Sequence, residues 1–323
     1  MRLLKLVPDN TNLPFVSLRK WAFGLTLILT LAAVSLTFAR GLNFGVDFAG
    51  GLMIEEKFAA PPAIDKVRRV IDGLGVGEAS IQPYREDPRL VSIRLPVPKS
   101  KDAGATNVVV GKVTAALSQN FPGAKFSKQD AVSGKVSDEL IRNGILAVLL
   151  AVFGIALFAI FRFEWQFGVS TFVAIMHDLL MTLGFFALTQ LEFDLNIVAA
   201  VLTIIGYSIN DKIVIDDRIR ENMRRYRKMD MPQIVDLSVN ETLPRTVMTS
   251  VTILLALIAM LLLGGHVLRG FTAAMILGIV VGTYSSIYVS SSLLISLGLR
   301  AEPKELAPNP AANAERVRRK DQP

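Results

Sequence analysis

Two carboxylates stand within long apolar stretches of the sequence. Asp211 follows the polar segment 206–210, and Asp178 lies beside His177 near the middle of a separate stretch. An ionisable side chain at the centre of a membrane costs about 2.5 to 3.5 kcal/mol on insertion scales, so such residues usually face a protein interior and have a function. A carboxylate held there can take up and release a proton, and proton transfer is the chemistry that these positions suggest.

The segment around Asp211 forms a polar stripe if it is helical. Tyr207 and Ser208 then lie on the same face as Asp211, at i−4 and i−3, and Asn210 directly precedes it. A second interpretation ends the helix at Asn210 and leaves Asp211 at the membrane surface. Lys212 favours this second interpretation, although a long lysine side chain can reach the lipid headgroups from within a span.

The other polar candidates also have two interpretations each. His177 and Asp178 are too deep for the membrane surface, but they could form hydrogen bonds between helices without taking part in chemistry. Arg245 begins the fifth apolar stretch, and its side chain could reach lipid phosphates or turn inward to a carboxylate. Gly278 and Gly282 form a GxxxG pattern, which predicts close packing of two helices.

Six stretches are long and apolar enough to cross a membrane as helices, which need about 20 residues each. The composition agrees, since it is 51% hydrophobic with a mean hydropathy of +0.45. The first stretch follows basic residues as a signal peptide does, but its length and the lack of an A-x-A motif predict a retained anchor. The predicted spans run from Trp21 to Ala39, Asn143 to Phe161, Trp165 to Leu191, Leu195 to Asp216, Thr246 to Leu268 and Gly270 to Leu299.

Basic residues are concentrated on alternate connections between these stretches. Because Lys and Arg beside spans are kept in the cytoplasm, both termini are predicted to be cytoplasmic. The short connections on the other side contain only Arg269 as a basic residue, and one of them carries Glu192 and Asp194. We therefore attribute the formal charge of +7 to membrane orientation and contact with anionic lipids, and expect no nucleic acid as a partner.

Residues 40–138 are predicted to form a folded domain outside the cytoplasm. Their composition is polar, with proline between short patterned segments, and the predicted elements follow the order βαββαβ, the split arrangement of a ferredoxin-like α+β domain. No catalytic group or pocket is evident, so we assign this domain to contact and movement. On this division, residues 1–20 are a cytoplasmic N-terminus, 21–39 the first span, 139–299 the other five spans and 300–323 a disordered cytoplasmic tail.

Several classes of chemistry are excluded. The chain contains no cysteine, so it has no disulfides, thiolate metal ligands or thiol nucleophiles. It also lacks a Walker motif, a dinucleotide fingerprint and a zinc-ligand pattern, so we expect neither a cofactor nor enzymatic activity. A membrane potential of about 100 mV releases roughly 2.3 kcal/mol per transferred charge, and a proton-carrying carboxylate could couple that energy to motion.

Two longer motifs resemble the SecD/SecF family of protein-export membrane proteins. One is G-x-D-F-x-G-G just after the first span, formed by Gly45, Asp47, Phe48, Gly50 and Gly51. The other is G-Y-S-x-N-D followed by D-R-I-R-E-N, over residues 206–211 and 217–222, which is similar to the SecF branch. The H-D pair at 177–178 and the L-x-R-T segment at 243–246 are also similar, and the likeness extends from about residue 15 to residue 300.

The resemblance implies a six-helix bundle like that of the RND superfamily, with a periplasmic domain, in the bacterial inner membrane. It implies SecD as the partner in a heterodimer, the SecYEG channel as a neighbour and exported unfolded polypeptides as clients, and leaves room for small accessory membrane subunits. In this family the proton motive force promotes late steps of protein translocation. By resemblance, Asp211 carries the proton and Arg245 is its charge partner. Lys212 and Asp216 depart from the family pattern, in which a small hydroxyl and an apolar or aromatic residue are common.

Two other functions fit parts of the pattern. An RND-type exporter of small molecules or lipids has the same architecture, but usually carries two such halves and larger outer domains in one chain. An intramembrane aspartyl protease could use Asp178 and Asp211 as a pair that shares one proton. The glycine–aspartate context expected for such a protease is missing from the sequence.

Overall fold

The computed structural model describes residues 7–8, 11–77, 79–84, 87–96, 105–265 and 268–299. The predicted disordered tail, 300–323, lies outside the described residues, as does part of the predicted N-terminus. In chain order the elements are α1 (Arg19–Arg40), α2 (Val46–Ala49), β1 (Gly51–Lys57), α3 (Ile64–Asp72), β2 (Ser80–Pro83), β3 (Leu90–Leu95), α4 (Ala105–Asn120), β4 (Lys125–Val132), α5 (Gly134–Arg162), α6 (Trp165–Thr189), α7 (Leu195–Arg225), α8 (Met231–Leu263), α9 (Arg269–Tyr284) and α10 (Ser291–Ser296).

Six helical segments within the described residues are long and apolar enough to cross a membrane. They comprise α1 with the short 3₁₀ turn before it, α5, α6, α7, α8, and α9 continued into α10. A π-helical turn, Ser285–Ser290, joins α9 to α10. The six predicted spans are thereby confirmed, and the protein is a multi-pass membrane protein.

The domain between α1 and α5 has the predicted βαββαβ order. Its four strands form one antiparallel sheet in the order β2-β3-β1-β4, so the first and third strands are central, as in a ferredoxin-like fold. Helices α3 and α4 cover one face, where Leu52, Ile54, Val67, Val113 and Leu117 form a buried apolar core. The other face carries polar side chains and is directed toward the helical bundle.

One carboxylate lies within this apolar core. Glu56 pairs with Val91 across β1 and β3 and shares the face of Leu52 and Ile54, because side chains alternate along a strand. It is fully buried, and neither of its carboxylate oxygens has a hydrogen-bond partner within the described residues. Burial raises the pKa of Glu56 from its ordinary value of 4.5 to about 7.

Helices α7 and α8 are longer than the sequence pattern predicted. We expected α7 to end near Asp216 and the fifth span to begin after Pro244, but α7 continues to Arg225 and α8 begins at Met231. Beyond the bundle the two helices pack on each other through apolar residues such as Ile219 and Val235, which explains their extension. Helix α8 passes through Pro244 without a break, and the carbonyl of Asn240, which Pro244 cannot bond, instead accepts a hydrogen bond from the Thr11 hydroxyl at 3.4 Å.

Candidate functional site

Helix α7 is the polar centre of the membrane bundle. It contacts α5, α6, α8 and α9, and its mid-section carries Tyr207, Ser208 and Asp211 within an apolar helix. The interpretation that ends the helix at Asn210 is wrong, because α7 continues for four more turns and the Asp211 side chain is only 3% exposed. Asn210 lies on the exposed side of the helix.

The position of Asp211 is fixed by the antiparallel packing of α7 on α8. The Tyr207 hydroxyl lies 2.9 Å from the Ser250 hydroxyl, which in turn lies 3.1 Å from the hydroxyl of Thr283 on α9. One turn further along α7, Asp211 therefore faces α8 near the buried Thr246. Its Oδ2 atom is buried and has no hydrogen-bond partner within the described part of the chain.

Arg245 lies near this carboxylate but is not paired with it. Its side chain is exposed, and its charge acts on Asp211 through space. No ion pair between Arg245 and a carboxylate is present among the described residues. The arrangement leaves Asp211 as a buried carboxylate with one open oxygen and a cation nearby.

Asp178 connects three helices by hydrogen bonds. Its Oδ2 accepts from Ser208 of α7 at 2.6 Å and from Ser285 of the π-helical turn at 3.1 Å, while Oδ1 lies 3.1 Å from Nδ1 of His177. These bonds match the interpretation of Asp178 as a link between helices. No hydrogen bond joins the Asp178 and Asp211 carboxylates within the described residues, because Asp178 is bonded to Ser208, Ser285 and His177, so the structure does not show the shared-proton pair that a protease would need.

Sequence reasoning missed the ion pair between Lys212 and Asp216. Both interpretations of Lys212, at the end of a helix or extended to the lipid headgroups, placed its charge at the membrane surface. In the structure both side chains are buried, and Nζ of Lys212 lies 2.6 Å from Oδ2 of Asp216. The hydroxyl of Ser170 on α6 accepts a second hydrogen bond from Nζ at 3.1 Å. The signal that could have revealed the pair is its i, i+4 spacing, which places opposite charges side by side on a helix.

The GxxxG pattern packs α9 directly on α7, as predicted. A Cβ atom at Gly278 would lie 2.4 Å from Cγ1 of Ile204, and one at Gly282 would lie 3.0 Å from Cβ of Ser208. Only glycine allows the two backbones to approach this closely at the level of the polar residues.

The G-x-D-F-x-G-G motif joins the α/β domain to the start of α7. Gly45 donates its backbone N–H to the carbonyl of Phe193 at 2.8 Å, and Asp47 Oδ2 accepts from the backbone N–H of Leu195, the first residue of α7, at 3.0 Å. Phe48 packs against Phe186 and Phe193 in a buried cluster of the bundle. The motif is therefore a structural connection between domain and bundle.

Its three glycines occupy positions that disfavour a side chain, through close contacts at Gly45 and Gly51 and through a positive φ at Gly50 and Gly51. A Cβ atom at Gly45 would lie 3.0 Å from Oε1 of Glu192, and Gly51, with a φ of +115°, would place one 2.8 Å from the carbonyl oxygen of Leu95. Gly50 also has a positive φ, of +67°. The contact of Gly45 brings the chain from α1 onto the connection before α7, whereas Gly50 and Gly51 turn the chain into β1.

An ion pair strengthens the same junction. Arg94 of β3 lies 2.8 Å from Glu192 in the connection before α7, and also donates to the carbonyl of Phe44. Burial raises the pKa of Glu192, and the Arg94 guanidinium opposes that rise. The polar face of the sheet and these connections enclose a cavity of about 820 Å³, lined in part by Glu55, Tyr84 and Arg269.

Comparison with known protein families identifies two matches. The family described as "Protein export membrane protein SecD/SecF, C-terminal" matches residues 112–300, and the "SecD/SecF GG Motif" matches residues 35–58. Two curated relatives are both named protein translocase subunit SecF and are each 41% identical to this chain. The protein from Cereibacter sphaeroides aligns over 94% of this chain and 95% of its own length, and that from Rickettsia bellii over 90% and 95%.

Solved structures give the same result. SecDF, a translocon-associated membrane protein from Thermus thermophilus, is 36% identical with a TM-score of 0.82, over 91% of this chain. SecDF in its super-membrane-facing form is 33% identical with a TM-score of 0.66, over 98% of this chain. This chain spans only 40% and 41% of those two SecDF chains. From the motifs, the fold and these likenesses together, we conclude that the chain belongs to the SecD/SecF family of protein-export membrane proteins.

Proposed function

We propose that this chain acts as the SecF subunit of the bacterial Sec translocase, and that with SecD it uses the proton motive force to promote late steps of protein translocation. Relatives that match nearly end to end carry the SecF name, which supports this assignment. The larger SecDF chains, of which this chain spans about two fifths, support a SecD half as its partner. The SecYEG channel, unfolded exported polypeptides and small accessory membrane subunits are further proposed partners.

The buried carboxylate of Asp211 is the observation that carries a proton-driven mechanism. Asp211 lies among α7 and its neighbours with one oxygen unbonded, so a proton can be added there without breaking a hydrogen bond. In the neutral form Asp211 needs no counter-charge. In the ionised form it attracts the nearby Arg245, and this attraction favours a different packing of α7 on α8. The two states of Asp211 are supported by the neighbouring polar residues on α7 and α6, which are Tyr207, Ser208, His177 and Asp178.

The connection from α7 to the α/β domain supplies a route for the movement. Asp47 caps the first turn of α7, and Arg94 with Glu192 holds the sheet to the same connection. A displacement of α7 therefore acts on the base of the domain. On this proposal the domain is periplasmic, both termini are cytoplasmic, and domain movement helps to draw the exported chain outward.

The test is to replace Asp211 by asparagine in the SecD-containing complex. Asp211→Asn should abolish the part of export that depends on the proton gradient, because an amide cannot take up and release a proton. Export of a secretory protein into inverted inner-membrane vesicles, with and without an uncoupler, measures that part. Undiminished gradient-dependent export by an inserted, SecD-bound variant would refute the role of Asp211.

A matched control is available on the same helix. Asp217 lies six residues away, and its side chain is 64% exposed. Asp217→Asn makes the same chemical change outside the buried site and should leave gradient-dependent export unchanged. Loss of export in both variants would point to general damage to α7 instead of a specific effect on proton transfer.

A further inference from the structure

The buried ion pair between Lys212 and Asp216 has no part in the mechanism proposed above. Both side chains are 2% exposed, and Nζ of Lys212 bonds Oδ2 of Asp216 and the hydroxyl of Ser170. An ionisable side chain inside a membrane bundle is costly and usually has a role. Replacing a buried ion pair by apolar residues of similar size is often neutral or stabilising, so stability alone gives a poor account of this pair.

One oxygen of Asp216 is open. Within the described residues, Oδ1 of Asp216 is buried and has no hydrogen-bond partner, whereas Oδ2 is held by Lys212. The surroundings are rich in hydroxyl groups, since the Ser170 hydroxyl also lies 3.5 Å from that of Ser290 in the π-helical turn. Single π-helical turns within α-helices are frequent at functional sites. The open oxygen of Asp216 can therefore receive a proton without the loss of a hydrogen bond.

This place is separate from Asp211. Successive residues of a helix are rotated by about 100°, so Lys212 and Asp216 face α6 and the π-helical turn, whereas Asp211 faces α8. The observed contacts agree with these directions. Lys212 bonds Ser170 of α6, which lies near Ser290 of the π-helical turn. On the face of Asp211, Tyr207 instead contacts Ser250 of α8. Helix α7 thus carries ionisable groups on two of its faces.

Within the described residues, the charged group that bonds Asp216 directly is the ammonium of Lys212. The other elements packed against α7 near this level also bring titratable or charged residues. These are Arg162 of α5, which pairs with Asp217; His177 and Asp178 of α6; Glu241 and Arg245 of α8; and Tyr284 and Tyr288 of α9 and its π-helical continuation.

We propose that Asp216 is a second proton-accepting carboxylate of this bundle, held ionised by Lys212 until a proton arrives. A hydronium ion transfers its proton to Oδ1 of Asp216 and leaves as water. An O–H bond forms, and the pair changes from a net charge of zero to a net charge of +1. The unneutralised ammonium of Lys212 then favours a different packing of α6 on α7. Proton uptake at Asp216 stands on this geometry alone, whereas its coupling to export rests on the proposed function.

Infrared spectroscopy tests proton uptake independently of export. The full chain in complex with its SecD partner is reconstituted in lipid, and difference spectra between acidic and alkaline buffer detect the C=O stretch of protonated carboxyl groups. We expect one such band to be lost in Asp216→Asn and to persist in Asp211→Asn and in the exposed-site control Asp217→Asn. If the difference spectrum of Asp216→Asn keeps every carboxyl band of the parent protein, the proposal is wrong.

Because the single variant leaves Lys212 without its counter-charge inside the bundle, a double variant provides the second arm. Lys212→Met combined with Asp216→Leu replaces the pair by apolar residues of similar size, and should insert and bind SecD normally. We expect the same infrared band to be lost and gradient-dependent export to fall at least tenfold. Export at the parent level would identify the pair as purely structural, provided that Asp211→Asn abolishes export in the same assay. If Asp211→Asn exports normally, the proposed function fails, while the infrared result still decides on Asp216.

Discussion

Replacing Glu56 by glutamine should make the α/β domain more stable at alkaline pH and remove most of the pH dependence of its stability. The carboxylate lies in the apolar core beneath α3 and α4 with both oxygens unbonded, and burial raises its pKa to about 7. The folded state therefore holds a proton on Glu56 at pH values where the unfolded chain, with a pKa near 4.5, has lost it. The contribution of neutral Glu56 to the stability of the domain is therefore complete below about pH 4.5, and it is lost as the pH rises through about 7.

The size of the effect follows from the two pKa values. One pKa unit corresponds to about 1.4 kcal/mol between the two protonation states. The difference between 4.5 and about 7 therefore amounts to about 3 kcal/mol of stability lost by pH 8, because the domain must either bury an ionised carboxylate or open to hydrate it. Glutamine stays neutral throughout, so Glu56→Gln should gain stability on that scale at pH 8 and little at pH 4.5.

Hydrogen exchange measures the stability of the α/β domain at each pH without isolating the domain. Exchange rates of the β1 and β3 amides in the detergent-solubilised full chain, normalised to intrinsic rates at each pH, give the free energy of opening. Asp72→Asn, which alters an exposed carboxylate in the same domain, should retain the pH dependence of the parent. If Glu56→Gln retains it too, Glu56 does not titrate in the core and the reasoning from burial is wrong.

Three further changes test the junction and the bundle. Asp47→Asn should weaken the hold of the domain on α7, because the amide is a poorer acceptor for the Leu195 N–H, and faster hydrogen exchange in the first turn of α7 would register it. Arg94→Gln combined with Glu192→Gln should destabilise less than the sum of the single changes, with a coupling of about 1 kcal/mol in a thermal double-mutant cycle, since each single change leaves an unpaired, partly buried charge. Gly278→Leu should prevent the close packing of α7 and α9, because its Cβ would meet Ile204, and the yield of monodisperse protein on size-exclusion chromatography should fall sharply; an unchanged elution profile would contradict the packing.

The elements of the fold could be predicted because their patterns are local. Apolar runs such as residues 143–161 identify membrane helices by length alone, and the alternating and helical periods between β1 and β4 gave the βαββαβ order. The ends of α7 and α8 could not be predicted, because the segments beyond the membrane are held by contacts between the two helices. Likewise, the sequence predicted that a helix begins just after Pro244. In the structure the helix continues through Pro244, because the Thr11 hydroxyl donates to the carbonyl of Asn240, which Pro244 cannot bond.

The candidate site divides in the same way. Asp211, Asp178 and Arg245 were found from sequence because a charged residue in an apolar run is conspicuous wherever it points. Their surroundings depend on the rotation of α7 against its neighbours, and a helical period does not specify which neighbour each face meets. Only the tertiary structure turned Lys212 inward to Asp216, bonded Asp178 to Ser208, and gave the glycine motif its role as the connection between the domain and α7. Composition and period thus determined which segments cross the membrane, whereas packing between distant segments determined which polar groups meet.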